Sequence, residues 1–197
     1  MSWAINAGAK EINLITDWPN PTTRYANPHS ERVPTMISYD PYDRSRANKW
    51  GYEAALNEKT AFRWFKLLLE PDYGIERVAQ QFHEKNEMNK MLVSIQKTAQ
   101  DVTADYLRFL WSHAEEHFRK HLSSVRKGID SIKVVITVPA MSSRIAKEST
   151  RNAAKAAGLP GDVTLVHEPE AAALAVLRDT WDTLQVRANA RSEIDSA

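Results

Sequence analysis

Val134-Val135-Ile136-Thr137-Val138-Pro139-Ala140 is answered about thirty residues later by Val163-Thr164-Leu165-Val166-His167-Glu168-Pro169-Glu170-Ala171-Ala172-Ala173. Each half is a β-branched run that reads as a buried strand, then a proline, then residues that favour helix. Between them lies Ser142 to Ala157, where Ile145, Ser149, Asn152/Ala153 and Ala156 repeat at helical spacing and Gly158 is placed to stop the helix. The order is β-α-β-α, so Val134–Val138 and Val163–Val166 are expected to be parallel neighbours joined by a right-handed crossover.

That layout singles out Glu168. It ends the second strand, Pro169 holds its backbone extended, and Pro169 suits the first position of a helix. Its carboxylate is expected at the carboxyl edge of the strands, where open α/β sheets bind ligands. A carboxylate beside a helix N-terminus is also favourable by about 0.3–1 kcal/mol with no chemistry attached, so both readings stand. Pro139 likewise ends its strand and redirects the chain into the helix that starts near Ser142. Lys66, within Phe65-Lys66-Leu67-Leu68-Leu69, reads by itself as a surface lysine on an apolar helix, its stem on hydrocarbon and its ammonium in water.

Upstream, residues 1 to about 57 read as strand and loop. Glu11–Thr16 and Val33–Tyr39 are the expected strands, punctuated by Pro19, Pro21, Pro28 and Pro34. Residues 58–127 read as helical and as a largely separate subdomain. Within them Met88, Leu92, Ile95, Ala99, Val102, Tyr106, Phe109 and His113 form one stripe, which predicts roughly 40 Å of continuous helix at about 1.5 Å rise per residue. Ala99 and His113 are weak coiled-coil residues, so packing within the domain is expected instead. Residues 179–197 carry Arg187, Arg191 and Glu193 among small polar residues and read as a disordered tail.

His113, His117 and His121 share one helix face, and imidazoles at such spacing can chelate zinc. However, Ala114 stands where a metalloprotease His-Glu-x-x-His pattern needs its general base. A solvated helix face and no metal are therefore expected. The 6 tryptophans, among them Trp18, Trp50, Trp64 and Trp111, read as packing residues rather than a nucleic-acid stacking platform.

Lys+Arg total 26 against Asp+Glu 25 over 197 residues, so there is no clustered basic excess for nucleic acid or anionic membrane. Cysteine count is zero, which excludes disulfides and thiolate metal sites and suits a reducing, cytoplasmic compartment. The longest apolar runs, such as Phe65 with Leu67 to Leu69, are too short to span a bilayer, and no secretory signal or internal repeat is visible.

Ile136-Thr137-Val138-Pro139-Ala140, Ala153-Ala154-Lys155-Ala156-Ala157-Gly158-Leu159 and His167-Glu168-Pro169-Glu170-Ala171-Ala172-Ala173-Leu174 resemble the ATPase domain of the seventy-kilodalton heat-shock chaperones. More narrowly, they resemble the divergent chaperone-like proteins common in filamentous fungi. Ser2-Trp3-Ala4, Ile15-Thr16-Asp17-Trp18-Pro19, Val33-Pro34-Thr35-Met36-Ile37-Ser38-Tyr39 and Trp50-Gly51-Tyr52-Glu53-Ala54 fall in the expected order, carrying the resemblance from about Ser2 to about Leu177.

The resemblance implies an α/β fold, a partial actin-like ATPase (ribonuclease H-like) lobe over residues 1–178 with 58–127 as its helical subdomain. It implies ATP and magnesium as cofactors and ATP-dependent protein folding as the family role. By the same resemblance Glu168 helps place magnesium-bound water and Lys66 reaches the terminal phosphate. Pro139 relays nucleotide state, and Lys147 stands where the family carries a partner arginine, giving a point charge in place of a planar fork.

The family holds phosphates between two glycine-bearing hairpins, because only a backbone without Cβ approaches a pyrophosphate so closely. The chain has 6 glycines and neither an Asp-x-Gly-Thr nor an Asp-x-Gly-Gly-Gly-Thr segment. It thus looks like a lobe cut at both ends, with sheet edges and apolar surface left open to self-association. Three functions are open: an ATPase, a non-catalytic module binding a full-length relative or co-chaperone, and a gene fragment without activity.

Overall fold

The computed structural model describes residues 1–3, 12–19, 30–70, 79–121, 132–178 and 180. In chain order the elements are β1 (Ser2–Trp3), β2 (Asn13–Leu14), β3 (Ile37–Tyr39), β4 (Ala47–Trp50), α1 (Gly51–Ala55) and a 3₁₀ turn (Phe65–Leu69). They continue with α2 (Ala79–Ser94), α3 (Ala99–His121), β5 (Val135–Val138), α4 (Arg144–Ala156), β6 (Thr164–His167) and α5 (168–178). The expected loop prolines Pro21 and Pro28, and the tail from residue 181, lie outside the described residues.

β5 and β6 pair in parallel, in register from Val135↔Thr164 to Val138↔His167, as the tandem motif requires. The helix between them begins and ends where its local signals stand. Ser143 is the N-cap and its hydroxyl accepts from the Ala146 amide at 3.1 Å. At the other end Gly158 sits at φ +82, and the Gly158 and Leu159 amides return to the carbonyls of Lys155 and Ala154. The buried face, however, is Ala146, Thr150, Ala153, Ala154 and Ala157, while Ile145 is 59 % exposed. The expected stripe through Ile145 and Ala156 is one residue off. α4 packs on α3, and small side chains are what let two helix backbones approach closely.

The single long helix expected from Met88 to His113 is two helices. Gln96 adopts φ +54, the Gln96 amide donates to Val93 O and the Lys97 amide to Leu92 O, which closes α2. Thr98 then caps α3 reciprocally. Its hydroxyl accepts from the Asp101 amide at 3.1 Å, and the Asp101 carboxylate accepts from the Thr98 amide at 2.8 Å. The stripe still faces inward across the break, since Leu92, Ile95, Ala99, Val102 and Tyr106 are all buried.

One hydrophobic cluster joins Ile15 and Trp18 from the N-terminal segment, Trp50 from β4, Phe65 from the 3₁₀ turn, Val102 from α3 and Ala146 from α4. α3 is its axis, packing against α4, the 3₁₀ turn and β4. The β3–β4 hairpin is antiparallel, and β3 is shorter than the expected Val33–Tyr39 because Pro34 offers no amide to a ladder. Likewise only Asn13–Leu14 of the expected Glu11–Thr16 strand pairs, antiparallel to β1, and Glu11 lies outside the described residues.

Gly51 joins that hairpin to α1 at φ +57, and a Cβ placed there would lie 2.7 Å from Val33 Cγ2. Both the left-handed backbone and the contact forbid a side chain. Gly51→Ala is expected to cost about 2–3 kcal/mol, read as a lower urea midpoint at constant m-value. Adding Val33→Ala should return part of that loss, and a neutral Gly51→Ala would contradict the geometry.

Candidate functional site

The carboxyl ends of β5 and β6 gather the residues that the sequence singled out one by one. Trp64 adopts φ +60 and turns the chain into the 3₁₀ segment, where Phe65 and Leu69 are buried and Lys66 faces outward. Its ammonium lies 3.3 Å from Glu168 Oε1 and donates to the Thr137 carbonyl at 3.4 Å. The apolar helix expected around Lys66 is therefore a short 3₁₀ turn at the strand ends. The pair is 42 % and 50 % exposed, so it contributes at most about 1 kcal/mol to stability.

Glu168 opens α5 directly after β6, in the position expected for it. The residue before it makes a second set of contacts. His167 Nδ1 is 3.3 Å from the Pro139 carbonyl, and His167 Nε2 is 3.3 Å from Lys147 Nζ. Pro139 and Lys147 are thus bridged by an imidazole whose part nothing local in the sequence reveals. Glu70, just after the 3₁₀ turn, adds a third link by accepting the Ser143 amide at 2.8 Å, so a carboxylate sits at the N-terminus of α4.

The described glycines form no phosphate cradle at this edge. A Cβ on Gly158 would meet nothing within 4 Å, one on Gly161 only the Ile132 carbonyl at 4.0 Å, and Gly51 is closed by Val33. Among the described residues no group of three or more His, Asp or Glu side chains is placed to hold a metal ion. Among the described residues this edge supplies the cations Lys66 and Lys147 and the carboxylates Glu70 and Glu168, of which Lys66 and Glu168 are paired with each other, and no backbone cradle for magnesium-ATP.

The histidines of α3 correct another expectation. His113 and His117 are 15 % and 9 % exposed at their side chains, so this face is turned inward rather than solvated; the side chain of His121 lies outside the described residues. His113 packs against both Trp18 and Trp50 at centroid distances of 5.3 and 5.9 Å, and among the described residues its Nε2 has no hydrogen-bond partner. His117 Nδ1 is 3.0 Å from Asp17 Oδ1. Trp18, Trp50 and Trp111 are buried as packing residues, whereas Trp64 is 54 % exposed.

Burial lowers the His113 pKa from its ordinary 6.5, joined by His117 and Lys120 and opposed by Asp17 and Glu116. A histidine whose folded pKa lies below its unfolded one gives stability that is complete above about pH 6.5 and declines as the pH falls. His113→Phe keeps a ring against the tryptophans and removes the proton site. Thermal melts at pH 7.5 and 5.5 should show a smaller acid loss in His113→Phe than in the parent. Equal losses in the two proteins would assign the acid sensitivity elsewhere.

Among curated proteins no match was found for this chain. Among the described residues no helix is long and apolar enough to cross a membrane. The model of the Hsp70 protein family matches residues 22–181, most of the sequence and all of the β5–α4–β6 unit with its flanking Lys66. With the parallel β-α-β unit and the strand-end glutamate in place, the chain belongs to the Hsp70 family and carries its α/β, actin-like ATPase fold.

Proposed function

We propose that this chain is a non-catalytic Hsp70-family lobe that acts by binding a protein partner, not by turning over ATP. The observation that carries the reading is the Lys66–Glu168 pair at the strand ends with no glycine cradle beside it among the described residues. The family uses ATP and magnesium and works with co-chaperones. In this reading residues 1–178 are a partial nucleotide-binding domain with 58–127 as its helical part. Lys66 and Glu168 keep the places that attend the terminal phosphate and magnesium's water, and Pro139 and Lys147 keep the relay's.

Phosphate affinity in such a fold comes mainly from backbone N–H groups fixed around the phosphates, and two side chains do not replace them. The surface also favours association. Val135 of β5 is 58 % exposed, and Leu174 and Leu177 of α5 are 60 % and 65 % exposed, on the same β-α-β-α unit. Apolar surface of this kind suits a partner such as a full-length relative or a co-chaperone.

A ligand at 100 times its dissociation constant stabilises by about 2.7 kcal/mol, which melting reads easily. Millimolar magnesium-ATP is expected to leave the melting temperature unchanged, with phosphate release no greater than in the Lys66→Ala/Glu168→Ala double variant. A clear upward shift abolished by Glu168→Ala or Lys66→Ala would overturn this reading and make the chain an ATPase.

A further inference from the structure

We propose that His167 is the positioning residue of this strand-end site, acting as a neutral imidazole in the Nδ1–H tautomer that donates to the Pro139 carbonyl and accepts from the Lys147 ammonium. The inference rests on reading the β5–β6 carboxyl edge as the site and names the residue that holds it together.

The backbone brings the ring there. His167 is the last residue of β6 and pairs with Val138, the last residue of β5, so its ring lies beside Pro139 as the chain leaves the sheet. Lys147 stands one turn into α4, its own amide donating to the carbonyl of the N-cap Ser143 at 3.1 Å. One side chain thus meets the exit of β5, the first turn of α4 and the exit of β6.

The chemistry of the two partners then leaves one protonation state. A carbonyl oxygen only accepts, so Nδ1 at 3.3 Å from Pro139 O must carry the hydrogen. An ammonium only donates, so Nε2 at 3.3 Å from Lys147 Nζ must present its lone pair. An imidazolium has no lone pair for Lys147, and the opposite tautomer sets two lone pairs and two donors against each other. As with metal-bound histidines, the contact at one ring nitrogen fixes the state of the other.

Glu168 is the next residue, and its carboxylate is reached from the other flank by Lys66, which also takes the Thr137 carbonyl. Lys66 and His167 therefore hold the carbonyls of Thr137 and Pro139, two residues apart at the end of β5. Lys147 is a point charge with three rotatable donors rather than a planar fork, and His167 Nε2 takes one of them.

The test is histidine long-range ¹H–¹⁵N correlation on the full chain at pH 7.5, with His167 assigned by sequential backbone connections to Val166 and Glu168. The expected spectrum has His167 protonated at Nδ1 and bare at Nε2. Lys147→Met, which removes the donor to Nε2 but leaves the Pro139 acceptor at Nδ1, is expected to keep the Nδ1–H form and to move the Nε2 ¹⁵N shift. The Glu168 carboxylate ¹³C shift should move in His167→Ala and stay in place in His167→Gln, whose amide can still donate and accept. An Nε2–H ring in the parent protein overturns the proposal, as does an Nε2 shift unmoved by Lys147→Met or a Glu168 shift unmoved by His167→Ala. The parent measurement needs no variant, and none of these signals depends on nucleotide, so the proposal and the magnesium-ATP reading can fail separately.

Discussion

Asp105→Ala is expected to lower stability by about 3 kcal/mol, a large share of the 5–15 kcal/mol by which a domain is usually held. The carboxylate is 12 % exposed and accepts from the Lys97 ammonium at 2.8 Å, the Tyr39 hydroxyl at 2.8 Å and the Arg108 guanidinium at 2.5 Å. Burial acts to raise its pKa, but the hydrogen bonds from Lys97, Tyr39 and Arg108 outweigh it and the net value lies below the ordinary carboxylate range. Tyr39 responds in the opposite direction, its pKa driven well up by burial and by its bond to Asp105. Removing the carboxylate leaves a mostly buried ammonium and a hydroxyl without their acceptor, which is the costly way to break such a network.

Arg108 is half exposed and can return to water, so Arg108→Met should cost about 1 kcal/mol, including its bond to the Ala156 carbonyl at the end of α4. Urea unfolding separates the two variants. Because the folded pKa of Asp105 is depressed, its contribution is present above the unfolded value near 3.9 and lost as the pH falls through the folded one. The gap between the parent and Asp105→Ala should therefore close below about pH 4. A loss under about 1 kcal/mol at pH 7 would show that water replaces the network without penalty.

Which of these features could be read from the sequence follows from how local each signal is. The β5–α4–β6 unit was legible because β-branched runs, Pro139, Pro169 and Gly158 each act on their own few residues. The face of α4 was not, because Ile145 looks like a core residue until α3 is known to lie against the alanines. The break at Gln96 had a signal in Thr98 and Asp101, but the apolar stripe runs through the break and conceals it. His113 and His117 looked solvated because the groups that bury or bind them, Asp17, Trp18 and Trp50, come from far upstream. Lys66 and Glu168 were each visible alone, but their contact spans 102 residues and exists only once the core has closed.

The core contact that sets Lys66 in place gives the other large effect. Phe65 is 1 % exposed, packs on Tyr106 at a centroid distance of 5.6 Å, and stands between Trp64 at φ +60 and Lys66. Phe65→Ala is expected to cost about 3–5 kcal/mol, the range for deleting a buried aromatic ring, and Phe65→Leu about 1–2 kcal/mol because much of the volume remains. Lys66→Ala should cost less than about 1 kcal/mol, since its ion pair is half in water. Trp64→Gly should be neutral or stabilising by up to about 1 kcal/mol, because glycine removes the left-handed strain and little packing is lost from a half-exposed ring. That ordering places the anchorage of the 3₁₀ turn in the ring behind it and leaves the ammonium in front free for the site. Phe65→Ala costing less than Lys66→Ala in urea unfolding would reverse the assignment, making the ion pair the anchor and the ring dispensable.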